Sequence, residues 1–247
     1  MASRSIARDK ALPWRAWARL AAIALLLLVM VPLHLSWRAL GLSSPWSRRF
    51  LGWAGRLAGL RVKVAGFVPP RDALLIANHL SWLDILALAG ATGTAFVAKA
   101  EMIEWPLLGW LCRLHDTVFV DREDRGAAGE QAEAVRGSLG QGRPLTIFCE
   151  GTTGDGRTLL PFRSSLLAAV APPPPGITVQ PVALDYADAP AIAWVDDEPI
   201  GANALRVLAR PGRLSVTLHF LPPLPPADRK TVTRQARAAI AGALGQA

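Results

Sequence analysis

The stretch LLIANHLSWLDIL (residues 74–86) ends an apolar run in Asn78 and His79 and places Asp84 five positions after the histidine. A histidine with a carboxylate partner is the base half of a catalytic triad. The carboxylate fixes the imidazole tautomer and stabilises the imidazolium, so the other ring nitrogen can take a proton from a hydroxyl. No enzyme serine is needed if the substrate alcohol is the nucleophile and the acyl donor is an activated thioester. Each residue also has a purely structural role open to it: Ser81 and Asp84 have the spacing of a capping box, and a loop histidine finds partners easily. Those roles leave unexplained why an ionisable pair stands at the C-terminal mouth of a strand, where open α/β sheets place their sites. A serine hydrolase is poorly served, because the chain has no Gly-x-Ser-x-Gly elbow.

The elements that must position this pair follow from pattern. Short apolar or β-branched runs bounded by Gly, Pro or Asp predict strands over 61–65, 73–77, 94–98, 117–120, 144–149, 178–185 and 214–220. Helical periodicity predicts helices over 82–88, 107–114, 129–139, 164–170 and 231–244, the last amphipathic with a basic outer face. This alternation predicts a layered α/β fold with a largely parallel sheet flanked by helices. PPPPG (172–176) and PPLPP (222–226) read as stiff connectors. The other histidines, His34, His115 and His219, have no comparable partners in sequence and read as structural.

At 247 residues the chain suits one large domain with an appendage. Its two cysteines, Cys112 and Cys149, make neither a disulfide framework nor a metal cage. The formal net charge of +8 is unevenly placed: residues 1–61 hold ten basic residues against one acid, whereas 62–247 hold 17 basic and 18 acidic residues. A nucleic-acid binder needs cations interleaved with aromatics across the folded domain, and that part is close to neutral. The excess flanks LAAIALLLLVMVPLHLSW, where 18 residues between Arg19 and Arg38 carry no charged side chain. Basic residues there attract anionic headgroups, at about 1 kcal/mol each near the surface. The chain thus divides into an N-terminal membrane-anchoring helical segment (1–60) and an α/β catalytic domain (61–247). With arginines on both sides and Pro32 inside, the segment is read as kinked or re-entrant, its tryptophans at headgroup level, ahead of a spanning helix. A cleaved signal peptide ending near Ala39-Leu-Gly41 is the third reading. RFLGWAGRLAGL, which follows, reads as a second amphipathic helix.

Asn78-His79-x-x-x-x-Asp84 resembles the signature of the glycerolipid acyltransferase family, whose best-known members are 1-acylglycerol-3-phosphate O-acyltransferases. Further blocks stand in that family's order. VAKAEMIEWPLLG (97–109) resembles its Lys-x-Glu…Pro-x-x-Gly segment, VFVDR (118–122) its second block, and FCEGTTGDG (148–156) its Phe-Pro-Glu-Gly-Thr block, with LPFRSSLL (160–167) and VQPVAL (179–184) after them. The match covers roughly residues 60–190. The resemblance implies His79 as base and Asp84 as its orienter, with Asn78, Lys99, Arg122, Glu150, Gly151, Thr152 and Arg163 around the acceptor. Read as chemistry, Arg122 has a guanidinium able to grip phosphate, Lys99 can meet a headgroup or Glu101, and the glycines at 151, 154 and 156 let backbone N–H groups approach an anion.

Two departures bear on the acceptor. Cys149 replaces the proline before the glutamate, and Thr153 stands where the family often has an arginine. With Arg122 retained, the first expectation is acyl transfer from acyl-acyl carrier protein or acyl-CoA to 1-acyl-sn-glycerol-3-phosphate. The alternative is lyso-ornithine lipid, whose bacterial acyltransferases carry a similar EGTTGDG segment. A non-catalytic membrane lipid-binding protein is the reading of a different class. The expected partners are membrane lipids and a carrier-protein or CoA thioester, with no cofactor, no metal and no nucleic acid. The expected location is the cytoplasmic (inner) membrane, with the catalytic domain on its cytoplasmic face.

Overall fold

The run ALLIA at Ala73–Ala77 buries all five of its side chains. A strand apolar on both faces belongs in the middle of a sheet covered on both sides, and that is where the computed structural model puts it. The structure describes residues 13–69, 71–121, 126, 128–195 and 198–246. Its strands are β1 (Leu60–Gly66), β2 (Ala73–Ala77), β3 (Ala95–Lys99), β4 (Val118–Val120), β5 (Leu145–Phe148), β6 (Thr178–Tyr186) and β7 (Leu214–Phe220). They form one sheet in the order β1-β7-β6-β2-β5-β3-β4. β2 runs parallel to β5 and β6, as β5 does to β3 and β3 to β4; β7 is antiparallel to β6 and carries β1 with it. The sheet is therefore mixed and mostly parallel, and the C-terminal ends of β2, β3, β4, β5 and β6 share one edge.

Helices cover both faces. They are α1 (Pro13–Ala39), α2 (Trp46–Leu57), α3 (Leu83–Thr92), α4 (Pro106–Leu114), α5 (Ala128–Ser138), α6 (Ile200–Ala209) and α7 (Arg229–Ala243). On one side Leu83 and Leu88 of α3, Val207 and Leu208 of α6 and Ala16 of α1 join Leu75 and Ala77 of β2 in one core. On the other, Val135 of α5 and Val232 and Ala236 of α7 pack on Leu74 and Ile76. The alternation of side chains along β2 thus feeds two cores. α2 crosses α3 backbone to backbone: a Cβ on Gly90 would stand 2.6 Å from the Gly52 Cα.

α1 is the one described helix long and apolar enough to cross a membrane, by length and composition; its Trp14–Ala39 portion has mean hydropathy 2.2. Pro32 lies inside it rather than ending it. Its outer face exposes Trp14, Trp17, Leu25, Leu28, Val29 and Leu35. Its inner face is tied to the body along its length. The Arg19 guanidinium donates to the carbonyls of Leu208, Arg210 and Gly212 at 2.8–3.0 Å, His34 Nδ1 meets Ser44 Oγ at 2.8 Å, and Arg38 pairs with Asp116 at 2.8 Å.

The seven strands stand within a residue or two of the sequence reading. α6 was not anticipated, and α3 starts at Leu83, with Trp82 rather than Ser81 as its cap.

Candidate active site

β2 delivers the chain to the edge shared by the parallel strand ends, and Asn78 fastens its end. The Asn78 amide, buried, donates to the Leu184 carbonyl (3.2 Å) and accepts the Leu184 N–H (2.8 Å), which zips β2 to β6. Both functional ends of Asn78 are spent on that backbone, so its contribution is to hold the strand exit in place.

The next residue is His79, and its Nδ1 lies 2.8 Å from Asp84 Oδ2. Asp84, in the first turn of α3, is 0% exposed. A buried carboxylate is tolerated only when hydrogen-bonded, and this one has four donors. Oδ2 accepts His79 Nδ1–H and the backbone N–H groups of Leu80 (2.6 Å) and Ser81 (2.9 Å); Oδ1 accepts the Tyr186 hydroxyl (2.7 Å). The same carboxylate therefore holds the turn's backbone N–H groups and fixes the orientation of the imidazole. An ionised carboxylate has no proton to give, so the Nδ1 proton belongs to His79 and Nε2 carries the lone pair. Burial, then the neighbouring Asp84 charge, push the Tyr186 phenol well above its ordinary pKa and keep it a donor.

Phe148, the last residue of β5, lies flat under the imidazole (ring centres 4.0 Å apart, 12° between planes), and Phe96 of β3 continues the stack. The His79 side chain remains 18% exposed. One face is apolar, one edge is held by carboxylate, and a margin is open to a reactant. The imidazole is thus held in one orientation.

Glu150, two residues beyond Phe148, is 3% exposed. Its Oε1 accepts the His79 backbone N–H at 2.8 Å and its Oε2 the Leu160 N–H at 3.2 Å. The Gly154 N–H closes the other side by donating to the His79 carbonyl at 2.8 Å. The FCEGTTGDG loop thus grips the main chain of His79 at both its N–H and its C=O. Burial raises the Glu150 pKa to about 7, against its two backbone donors and His79, which pull it down. Both carboxylate oxygens face backbone donors, so Glu150 positions His79. Gly156, at φ +74°, lets the loop pass where a Cβ would meet Ala189 and, at 2.8 Å, Leu80.

The other sequence candidates sit as follows. Gly151 turns the chain at φ +76° and donates to the Phe148 carbonyl (3.1 Å). Thr152 is exposed, whereas Thr153 donates its hydroxyl to the Trp194 carbonyl. Lys99, exposed at the C-terminal end of β3, is on the same sheet edge as His79. Arg163 is exposed after a backbone bond to the Cys149 carbonyl (2.8 Å). Arg122 lies outside the described residues. Among the described residues no group of three His, Cys, Asp or Glu side chains is placed to hold a metal ion.

Comparison with known proteins decides the family. The sequence profile of the family described as Acyltransferase matches residues 61–185. A lyso-ornithine lipid O-acyltransferase of Rhizobium meliloti (strain 1021) is 37% identical over 83% of this chain and 72% of its own length. This chain belongs to the acyltransferase family. A second lyso-ornithine lipid O-acyltransferase, from Rhodobacter capsulatus, is 33% identical over 91% of this acyltransferase and 88% of its own length. A 1-acyl-sn-glycerol-3-phosphate acyltransferase of Neisseria gonorrhoeae is 37% identical over 48% of the chain and 46% of its own. The crystal structure of the 1-acyl-sn-glycerophosphate acyltransferase PlsC of Thermotoga maritima superposes with a TM-score of 0.59 over 81% of this chain and 78% of that one, at 17% identity, a likeness of fold.

Three parts of the candidate site were missed in sequence. Tyr186 is the chain's single tyrosine, a signal that was available. Its partner Asp84 lies 102 residues away. The Phe148 platform and the grip of Glu150 on His79 are likewise products of strand order.

Proposed function

We propose that this acyltransferase moves a fatty acyl group from a carrier-protein or CoA thioester to the free hydroxyl of a lysolipid, with His79 as base. The observation that carries the mechanism is the 2.8 Å contact between His79 Nδ1 and a fully buried Asp84. Nε2 removes the hydroxyl proton as the alkoxide oxygen attacks the thioester carbonyl. The tetrahedral intermediate collapses, the C–S bond breaks, and the imidazolium returns its proton to the departing thiolate. The products are the acylated lipid and the free thiol carrier. Asp84 stabilises the transient imidazolium, and Tyr186, by occupying the second oxygen, keeps the carboxylate turned toward the ring.

For the acceptor we favour lyso-ornithine lipid. Relatives so named match over most of the chain, whereas the match to the Neisseria enzyme covers 48% of it. Thr153, in place of the arginine expected near a phosphate, spends its hydroxyl on the Trp194 carbonyl. 1-Acyl-sn-glycerol-3-phosphate is the second reading, supported by the Neisseria and Thermotoga resemblances. A panel of lysolipid acceptors with and without phosphate, assayed with labelled acyl thioester, separates them. Faster transfer to lyso-ornithine lipid supports the first, and exclusive use of the phosphate acceptor overturns it.

The enzyme is membrane-associated, and we read α1 with α2 as an anchor lying along the membrane rather than through it, with residues 61–247 as the catalytic domain. A helix of 27 residues is about 40 Å long. Arg19 near one end and Arg38 near the other both hold the body, so a spanning α1 would draw the domain into the bilayer. The cytoplasmic face of the inner membrane is where the carrier thioesters are available.

A further inference from the structure

α7 presents a cationic stripe on its outer face. Its inner face buries Val232, Ala236 and Ile240 against the sheet. Its outer face exposes Lys230, Arg234 and Arg237, at spacings i, i+4 and i+7, so they align along about 10 Å of one side of the helix. The helix contains no Asp or Glu. The nearest acid, Asp228, spends its carboxylate on capping, accepting the N–H groups of Lys230 (2.9 Å) and Thr231 (3.2 Å) and the Thr231 hydroxyl (2.7 Å). Among the described residues no carboxylate lies within ion-pairing distance of the three cations. Together with Phe162 and Ser164 they wall an open hollow of about 310 Å³.

Three features say what this surface meets. It lies on the sheet face carrying α5 and α7, across the sheet from α1, so it looks away from the surface that α1 offers to lipid. The cations are spread along a helix rather than converging on one point, which suits several carboxylates on a partner better than one phosphate. The stripe is also coupled to the site. Arg237 donates to the carbonyls of Leu159 (3.1 Å) and Leu160 (3.4 Å), and the Leu160 N–H is held by Glu150. The far end of α7 leads to Leu244 and Gln246, which line a cavity shared with His79, Asp185 and Tyr186. From Arg234 to Leu244 is about 15 Å along the helix, a distance suited to a thioester on a flexible prosthetic arm.

We propose that the Lys230–Arg234–Arg237 stripe docks an acidic acyl carrier protein, the thioester donor, from the side opposite the membrane. The inference deepens the functional reading above and rests on it for the reaction, though not for the binding.

The test uses the full-length enzyme in vesicles of phosphatidylethanolamine and phosphatidylglycerol, with palmitoyl-acyl carrier protein and palmitoyl-CoA as alternative donors. The variant Lys230→Glu/Arg234→Glu reverses two exposed charges; Lys230→Gln/Arg234→Gln serves where the reversal fails to fold by circular dichroism. The proposal expects KM for palmitoyl-acyl carrier protein to rise about tenfold or more, with kcat and both constants for palmitoyl-CoA within about twofold of wild type. It also expects added salt to raise the wild-type KM for the carrier-protein donor and to affect the variant little. An unchanged carrier-protein KM, an equal loss with both donors, or reduced vesicle flotation of the variant overturns it. Binding of palmitoyl-acyl carrier protein to His79→Ala enzyme, measured calorimetrically, is independent of turnover. Binding that the charge reversal abolishes sustains the dock even if the proposed reaction fails. No binding to enzyme carrying the intact stripe defeats the dock even if transfer is observed.

Discussion

The β2–α3 corner and α1 solve opposite problems. The corner buries Asp84, Asn78 and Glu150 beside the fully buried side chains of β2 and gives each carboxylate or amide protein partners. α1 turns leucines and tryptophans outward and keeps the guanidinium of Arg19 on carbonyls of the body. Polar groups inside require geometry, since an unsatisfied one costs about 1–3 kcal/mol. Apolar groups outside require only an apolar neighbour, which needs no particular geometry. Substitutions in the corner should therefore act steeply on turnover, and those on α1 broadly on location.

The largest effect is expected at Asp84. Asp84→Asn keeps much of the shape but offers the wrong partner to the imidazole, and kcat should fall about 10⁴-fold with folding retained. A fall under tenfold would break the contrast. Next comes the outer face of α1. Leu25→Glu/Leu28→Glu should cut vesicle flotation about tenfold or more, while kcat on a short-chain acceptor dissolved below its micellar concentration stays within about twofold. Loss of both together would mean that α1 is part of the catalytic body. Tyr186→Phe should follow, removing one of four donors from Asp84 and slowing turnover by about tenfold, with about 1–3 kcal/mol of stability lost.

The subtlest effect concerns acid and base. Burial raises Glu150 to about 7, above its unfolded value, so its ionisation opposes folding. Its contribution declines as pH rises from about 4.5 to about 7, by roughly 3 kcal/mol in all. His115 is pushed down to about 4, chiefly by burial, and its contribution declines as pH falls from 6.5 toward 4. The two slopes oppose each other in one window. Glu150→Gln removes the first, so urea stability of that variant should fall steadily with acid below pH 6.5, more steeply than wild type. Parallel profiles would contradict the burial of Glu150 as the cause of its shift.

How much of this could be read in the chain differs between the same regions. β2 was legible because a run apolar on both faces has one kind of home, and Asp84 because its spacing from Ser81 and His79 is local. α6 was not: Gly201 and Asn203 weaken its first turn, and Asn203 is there to take the Trp82 indole N–H (3.1 Å), a contact 121 residues apart in sequence. Glu150 was found as a residue near the acceptor, but its hold on the His79 backbone N–H was not legible, because that donor becomes its neighbour only when β5 pairs with β2. Thr153 was noted for the arginine it replaces, while its bond to the Trp194 carbonyl depends on the loop that follows β6.

The central claim is tested most directly by single-turnover acyl transfer with His79→Ala enzyme whose fold is verified by circular dichroism. The account predicts a loss of about 10⁴-fold or more in the chemical step, with vesicle binding unchanged. Transfer at near the wild-type rate would contradict it.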